Sequence, residues 1–145
     1  MKGKLLVIKR DEQEKLKVKM EEMELNDERE SLETLQSLVG GYIELANFDD
    51  LMARKRVDMF CDEEGKMKEG YLPSIIVLNK NQDTILDAVV GNVVFAANDG
   101  NGNTIGLCEE QINFVKKRLS EKLRVEIRST DGSKKFLECY KIVMD

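Results

Sequence analysis

Chemistry is most legible in one loop. Asp99, Asn101, Asn103 and Glu110 stand at positions 1, 3, 5 and 12 of a calcium-loop pattern. The sixth position of such a loop needs glycine for its sharp turn, and Thr104 stands there. The surrounding run NDGNGN, Asn98 to Asn103, also has the composition that turns require for backbone reasons alone. A second arrangement is Glu64–Gly65–Lys66 with Asp50 or Asp58 upstream. These are the residue types of a metal-dependent hydrolase, whose carboxylates must converge on Mg²⁺. Glu64 and Lys66 flank a turn glycine, so they are expected to point into water. Cys61 could be a nucleophile, but the 145 residues contain no His to activate it. The missing His also removes Ser-His chemistry, His general bases and most zinc or iron sites. Neither catalytic residues nor a metal or cofactor is expected.

The elements that must hold these groups follow from hydrophobic period. Leu5 to Ile8 reads as a short buried strand. Leu16, Val18 and Met20 alternate with lysines, giving a hairpin partner, and the phase slip at Glu21–Glu22 predicts a bulge there or the start of a helix. Leu32, Leu35 and Leu38/Val39 follow helical spacing, with Ser31 as N-cap and Gly40 as C′ residue. Strands are expected at Tyr42 to Leu45, Val57 to Cys61 and Val93 to Ala97. Apolar stretches mark Ile75 to Leu78, after the sole proline Pro73, and Ile85 to Val90. A second helix is expected from Glu109 to about Leu123. Val125 to Val143 reads as a hairpin turning at Asp131–Gly132. The sum is a single α+β domain over 1–145: a mostly antiparallel sheet with two main helices, an N-terminal hairpin over 1–25 and a C-terminal one over 124–145.

Compartment follows from the cysteines and from hydropathy. Cys61, Cys108 and Cys139 are odd in number and form no CxxC, which fits a reduced cytoplasmic protein rather than a disulfide framework. The N-terminal apolar run is four residues long, too short for a signal sequence, and no segment is long enough to span a membrane.

Charge is uneven although the net value is only −5. Residues 21–50 hold ten acidic groups and one basic, whereas residues 111–128 hold six basic and two acidic. The acidic stretch could imitate a phosphate backbone. The basic run Lys116 to Arg128 could meet nucleic acid, but it lacks stacking aromatics apart from Phe114 and the whole protein is acidic, so nucleic acid is not an expected partner. Tyr42 and Glu44 share one strand face and Ile43 and Leu45 the other. With Ile43 facing the core, Tyr42 and Glu44 face outward and, with Asp49 and Asp50, form the expected partner-binding surface.

Several segments resemble a known family. They are Leu32–Gln36, Val39–Gly40–Gly41–Tyr42–Ile43–Glu44, Cys61–Lys66, Leu72–Pro73, then Asp87, Gly91 and Phe95, and finally Glu109–Ile112. Together they make residues 31–120 similar to small proteins of unknown function carried by bacterial phages, plasmids and conjugative elements. Members often carry an Asn-Arg pair shortly after the Leu-Pro; here Ile75 and Ile76 stand in its place. The resemblance implies a mobile-element context and no established chemistry. The expected function is a non-enzymatic accessory protein that binds a host or defence protein, as an inhibitor of it. The alternative is a nucleotide-binding or nucleotide-sequestering module with its site at Asn98, Asp99, Asn101 and Asn103. The terminal hairpins leave sheet edges that could pair two copies into a homodimer.

Overall fold

A computed structural model of the chain describes residues 3–11, 13–25, 32–46, 49–67, 72–128 and 130–144. The expected Ser31 cap lies outside these residues.

The strands with continuous apolar runs lie inside. Lys4–Arg10 (β1) carries Leu5, Leu6, Val7 and Ile8, all buried. Val18–Glu24 (β2) pairs with it antiparallel from Lys4↔Glu24 to Arg10↔Val18. This register is unbroken, so neither the bulge nor the helix forms at Glu21–Glu22. β2 is an edge strand whose outer half is exposed on both faces, so the loss of apolar alternation reports exposure rather than a change of backbone.

Leu32–Val39 (α1) ends at Gly40, whose φ of 85° is the left-handed conformation expected of a C′ residue. Ile43–Leu45 (β3), a five-residue helix Asp50–Arg54 (α2) and Val57–Asp62 (β4) follow. After a 3₁₀ turn at Gly65–Met67 come Pro73–Leu78 (β5), Ile85–Val90 (β6), Val93–Asn98 (β7), Thr104–Ile105 (β8) and Glu109–Arg118 (α3). Lys122–Arg128 (β9) and Lys134–Val143 (β10) close the chain as the expected hairpin. Among the described residues there are three α-helices, the two expected ones, α1 and α3, and the five-residue α2. α3 stops at Arg118 rather than near Leu123. Leu119 is its C-cap, and from Lys122 onward the burial alternates with period two, placing Leu123 in a strand.

The expected single sheet is in fact two. The first has the order β2-β1-β7-β4-β3, with β8 paired to β7. The second has the order β6-β5-β10-β9 and contains a parallel pair, β5 with β10. Gly91, at φ 85°, lets the chain turn from β6 in one sheet to β7 in the other within two residues. The sheets share one core. Leu6, Ile8, Met59, Val93 and Phe95 of the first meet Ile75, Val89 and Ile142 of the second, together with Ile112, Val115 and Leu119 of α3. On the other face of the first sheet, Leu5, Val7, Phe60 and Val94 pack under Leu35 and Val39 of α1. At one side of this sheet Gly106 and Gly3 touch backbone to backbone. A Cβ on Gly106 would come within 2.6 Å of the Gly3 Cα, so the contact between β1 and the segment before α3 exists only because both residues lack side chains.

Candidate functional site

β3 is the last strand of the first sheet, and its outer edge faces no described strand. Ile43 pairs with Asp62, Glu44 with Cys61 and Leu45 with Phe60. Glu63 N donates to Tyr42 O and Ala46 N to Met59 O, both at 2.8 Å, so Tyr42, Glu44 and Ala46 point their backbone groups at β4. In an antiparallel ladder the alternate residues point the other way. The N–H and C=O of Ile43 and Leu45 therefore face outward. Ile43 packs its side chain into the cluster under α1, which anchors the strand. Tyr42 is 69% exposed, Leu45 47%, and Glu44 is exposed. Gln36 and Ser37 of α1, with Gly41 and Tyr42, line an open groove of about 470 Å³ at the start of this edge.

Beyond Glu44 lies the edge of the second sheet. Lys66 donates to Asp87 at 2.6 Å, which raises the lysine pKa and holds the Asp87 carboxyl below its usual value. Glu44 makes no side-chain hydrogen bond or ion pair among the described residues.

The other two expected partner-binding residues separate. Asp50 is exposed in the first turn of α2. Asp49 is 5% exposed and is engaged internally, a correction to its expected place on a partner surface. It accepts from Leu51 N at 3.3 Å as the N-cap of α2. It also accepts from Arg118 Nε at 2.9 Å and Nη2 at 3.2 Å. A carboxylate that caps a helix and receives a guanidinium fork has its acceptor sites occupied.

The loop proposed for calcium or a small ligand is closed on itself. Asp99 Oδ1 accepts from the backbone of Asn101 and Asn103, and Oδ2 from Asn103 Nδ2 at 2.7 Å. These bonds lower the Asp99 pKa. Asn98 Oδ1 accepts from Gly100 N while its Nδ2 donates to Asp58. Gly100 and Gly102 both have positive φ. The composition thus serves a tight turn, and Thr104, at the calcium pattern's glycine position, starts β8. Among the described residues no group of three or more His, Cys, Asp or Glu side chains could hold a metal ion.

The hydrolase-like residues also lie apart. Asp58 is tied to Asn98, its pKa raised by burial, while Lys66 is tied to Asp87 and Glu64 is exposed. Cys61 is buried in β4, and burial, reinforced by the Glu44 and Asp62 carboxylates, pushes its thiol up to about 11. A thiol held protonated is a poor nucleophile. The shift also sets a pH response. The unfolded thiol loses its proton near 9.0 and the folded one near 11, so between these values the folded state holds a proton that the unfolded state has lost. Stability therefore falls as pH rises through that window. Cys139 and Tyr140, both raised by burial, act in the same direction. Urea midpoints measured from pH 9 to pH 11 are expected to fall, and Cys61→Ala to fall less steeply. An equal slope in the variant would reject Cys61 as a source.

Two features have no signal in the sequence pattern. Ile85 and Leu86, expected within an apolar strand, are exposed because β6 is an edge of the second sheet. The basic run expected to line a helix instead divides between the end of α3 and alternate positions of β9. There Arg124 stacks on Phe136, at 4.7 Å, and Lys122 on Tyr140, at 5.2 Å.

Fold and edge together define a class: an α+β domain of two mainly antiparallel sheets with an exposed tyrosine and an exposed glutamate at one sheet edge. Within that class the chain belongs to a particular family. Residues 2–120 match the family described as "Domain of unknown function (DUF3846)". No curated protein and no solved structure matches the chain. The match takes in the N-terminal hairpin, which the resemblance over 31–120 leaves outside, and it ends before β9. β10 nevertheless supplies the parallel neighbour of β5 and places Tyr140 and Ile142 in the main core. No helix among the described residues is long and apolar enough to cross a membrane.

Proposed function

We propose that this protein is a non-enzymatic accessory protein of a phage or other mobile element, and that it binds and inhibits a host or defence protein through the β3 edge. The observation that carries the reading is Tyr42. It is 69% exposed immediately before β3, a strand anchored by Ile43, beside a groove, and near an exposed Leu45 and a Glu44 that has no side-chain partner among the described residues. A tyrosine, with only two side-chain torsions, offers a large contact area at low entropy cost, which is why tyrosine is enriched among the residues that dominate interfaces. The mobile-element context is supported by the resemblance of residues 31–120 alone. The nucleotide alternative gains no support from a loop whose polar groups bond to one another.

The test is native mass spectrometry of tagged protein recovered from a bacterial host of the element. One host protein is expected to be retained by the wild type and by Ile85→Ser, a control on another sheet edge. Tyr42→Ala should retain it at least about tenfold less, the loss expected of a dominant interface residue. Equal retention by Tyr42→Ala, or none by the wild type, would reject the reading.

A further inference from the structure

Resting on that reading, we infer that the partner contributes an extended segment with an apolar–basic–apolar sequence, which adds to the first sheet as an antiparallel strand beside β3. Two donors and two acceptors already face outward there, from Ile43 and Leu45, and they are the groups a new strand would use. Residues opposite Ile43 and Leu45 would lie on the α1 face. The exposed Leu45 offers one of them an apolar contact, and the groove beside Tyr42 lies next to the other. The residue between them would stand opposite Glu44. That position is a pair without backbone bonds, in which side chains approach most closely. Among the described residues Glu44, Asp87 and Lys66 leave one negative charge uncompensated, so the fitting residue there is Lys or Arg.

The same geometry argues against a second copy of this chain. The only register in which two antiparallel β3 strands use all four outward groups pairs Ile43 with Leu45 of the other copy. That register sets Glu44 directly against its own counterpart, and like charges at directly opposed positions destabilise a sheet. The three-residue length of β3 further limits self-pairing, as short edge strands do.

The test uses the full chain and a capped Thr-Val-Lys-Val-Thr peptide, read by backbone amide exchange and by NMR titration. The amides of Ile43 and Leu45 are expected to slow on adding this peptide. A Thr-Val-Glu-Val-Thr peptide should bind roughly two- to fivefold more weakly, the size of one cross-strand ion pair, and Glu44→Lys should reverse that order. A peptide N-methylated at both valines should give no protection. Unchanged amides, equal protection by the methylated peptide, or a peptide-free dimer protecting the same amides would each overturn the inference. If a host protein is retained while Ile43 and Leu45 still exchange freely, strand addition fails and the interaction reading stands. If the lysine peptide protects both amides but no host protein is retained, the edge is a strand acceptor and the host-protein reading fails.

Discussion

Replacing Asp49 by alanine is expected to cost about 3–5 kcal/mol of folding stability, the range for breaking a buried ion pair by removing one partner. Asp49 and Arg118 are 69 residues apart in sequence, yet the guanidinium approaches both carboxylate oxygens. Arg118 Nη2 also donates to Val143 O at 2.9 Å, so one side chain ties α2, α3 and the end of β10 together. The Asp49 side chain is 4% exposed and that of Arg118 17%, so solvent screens the pair little. Alanine would strand the guanidinium and also remove the N-cap of α2, a further loss of about 1 kcal/mol. Asp49→Asn keeps an acceptor and the cap but not the charge, and should lose roughly half as much. The double variant Asp49→Leu/Arg118→Leu should recover much of the loss, since apolar groups can replace a buried pair without leaving a charge behind. Urea denaturation of the three variants decides the matter. A loss below about 1 kcal/mol for Asp49→Ala would place the pair among ordinary surface bridges.

Arg10→Leu is expected to lose about 2–4 kcal/mol, because the guanidinium at the end of β1 is the donor for several main-chain carbonyls at once. Its Nη1 donates to Glu138 O at 2.6 Å and to Leu16 O at 3.2 Å, and its Nη2 donates to Pro73 O. The Cys139 thiol also donates to Pro73 O, at 3.3 Å, and lies beside the Arg10 fork. Arg10 therefore links β1 of the first sheet to β5 and β10 of the second. Burial lowers its pKa, yet an arginine remains charged at any pH the protein tolerates. Leucine fills part of the volume but leaves Glu138 O without its donor, which is costly for a group kept from water, whereas Leu16 O keeps its bond from Glu138 N and Pro73 O its bond from the Cys139 thiol. Arg10→Lys keeps the charge on a single ammonium that cannot reach all three carbonyls as a planar fork does, so it should rescue only part of the loss. The check is calorimetric. Each kcal/mol should lower the melting temperature by roughly 4 °C in a chain of this size. Arg10→Lys as stable as wild type, or Arg10→Leu within about 1 °C of it, would show that the fork geometry contributes nothing.

The sequence singled out Asp49 for a partner surface rather than for an internal ion pair and gave Arg10 no role, whereas several elements were legible. The continuous apolar runs at Leu5–Ile8 and Val93–Ala97 announce central strands buried on both faces. The spacing of Leu35 and Val39, followed by Gly40, announces α1 and its end. NDGNGN announces a turn, and its side chains indeed close on their own backbone. Ile43 inward with Tyr42 and Glu44 outward follows from strand alternation once one of them is known to be apolar. Each of these signals is local: it depends on which side chains a few neighbouring residues present to one face.

The misreadings share the opposite character. The phase slip in β2 looked like a bulge because the pattern reports exposure and backbone geometry through one variable. The second helix looked as if it ran on to about Leu123 because the charged residues from Lys116 to Lys122 carry no period that marks its end. Asp49 looked free because its partner lies 69 residues away, and Arg10 carried no signal because its acceptor at Glu138 lies 128 residues away. From residue order alone the chain was bound to form alternating strands and short helices with an acidic middle. Tertiary structure alone decided that the strands form two sheets, that β10 runs parallel to β5, that Asp49 is taken, and that β3 ends a sheet. The reason is that a periodic pattern specifies which face of an element must be covered. Which other element covers it depends on contacts between distant segments, and those form only when the chain has packed.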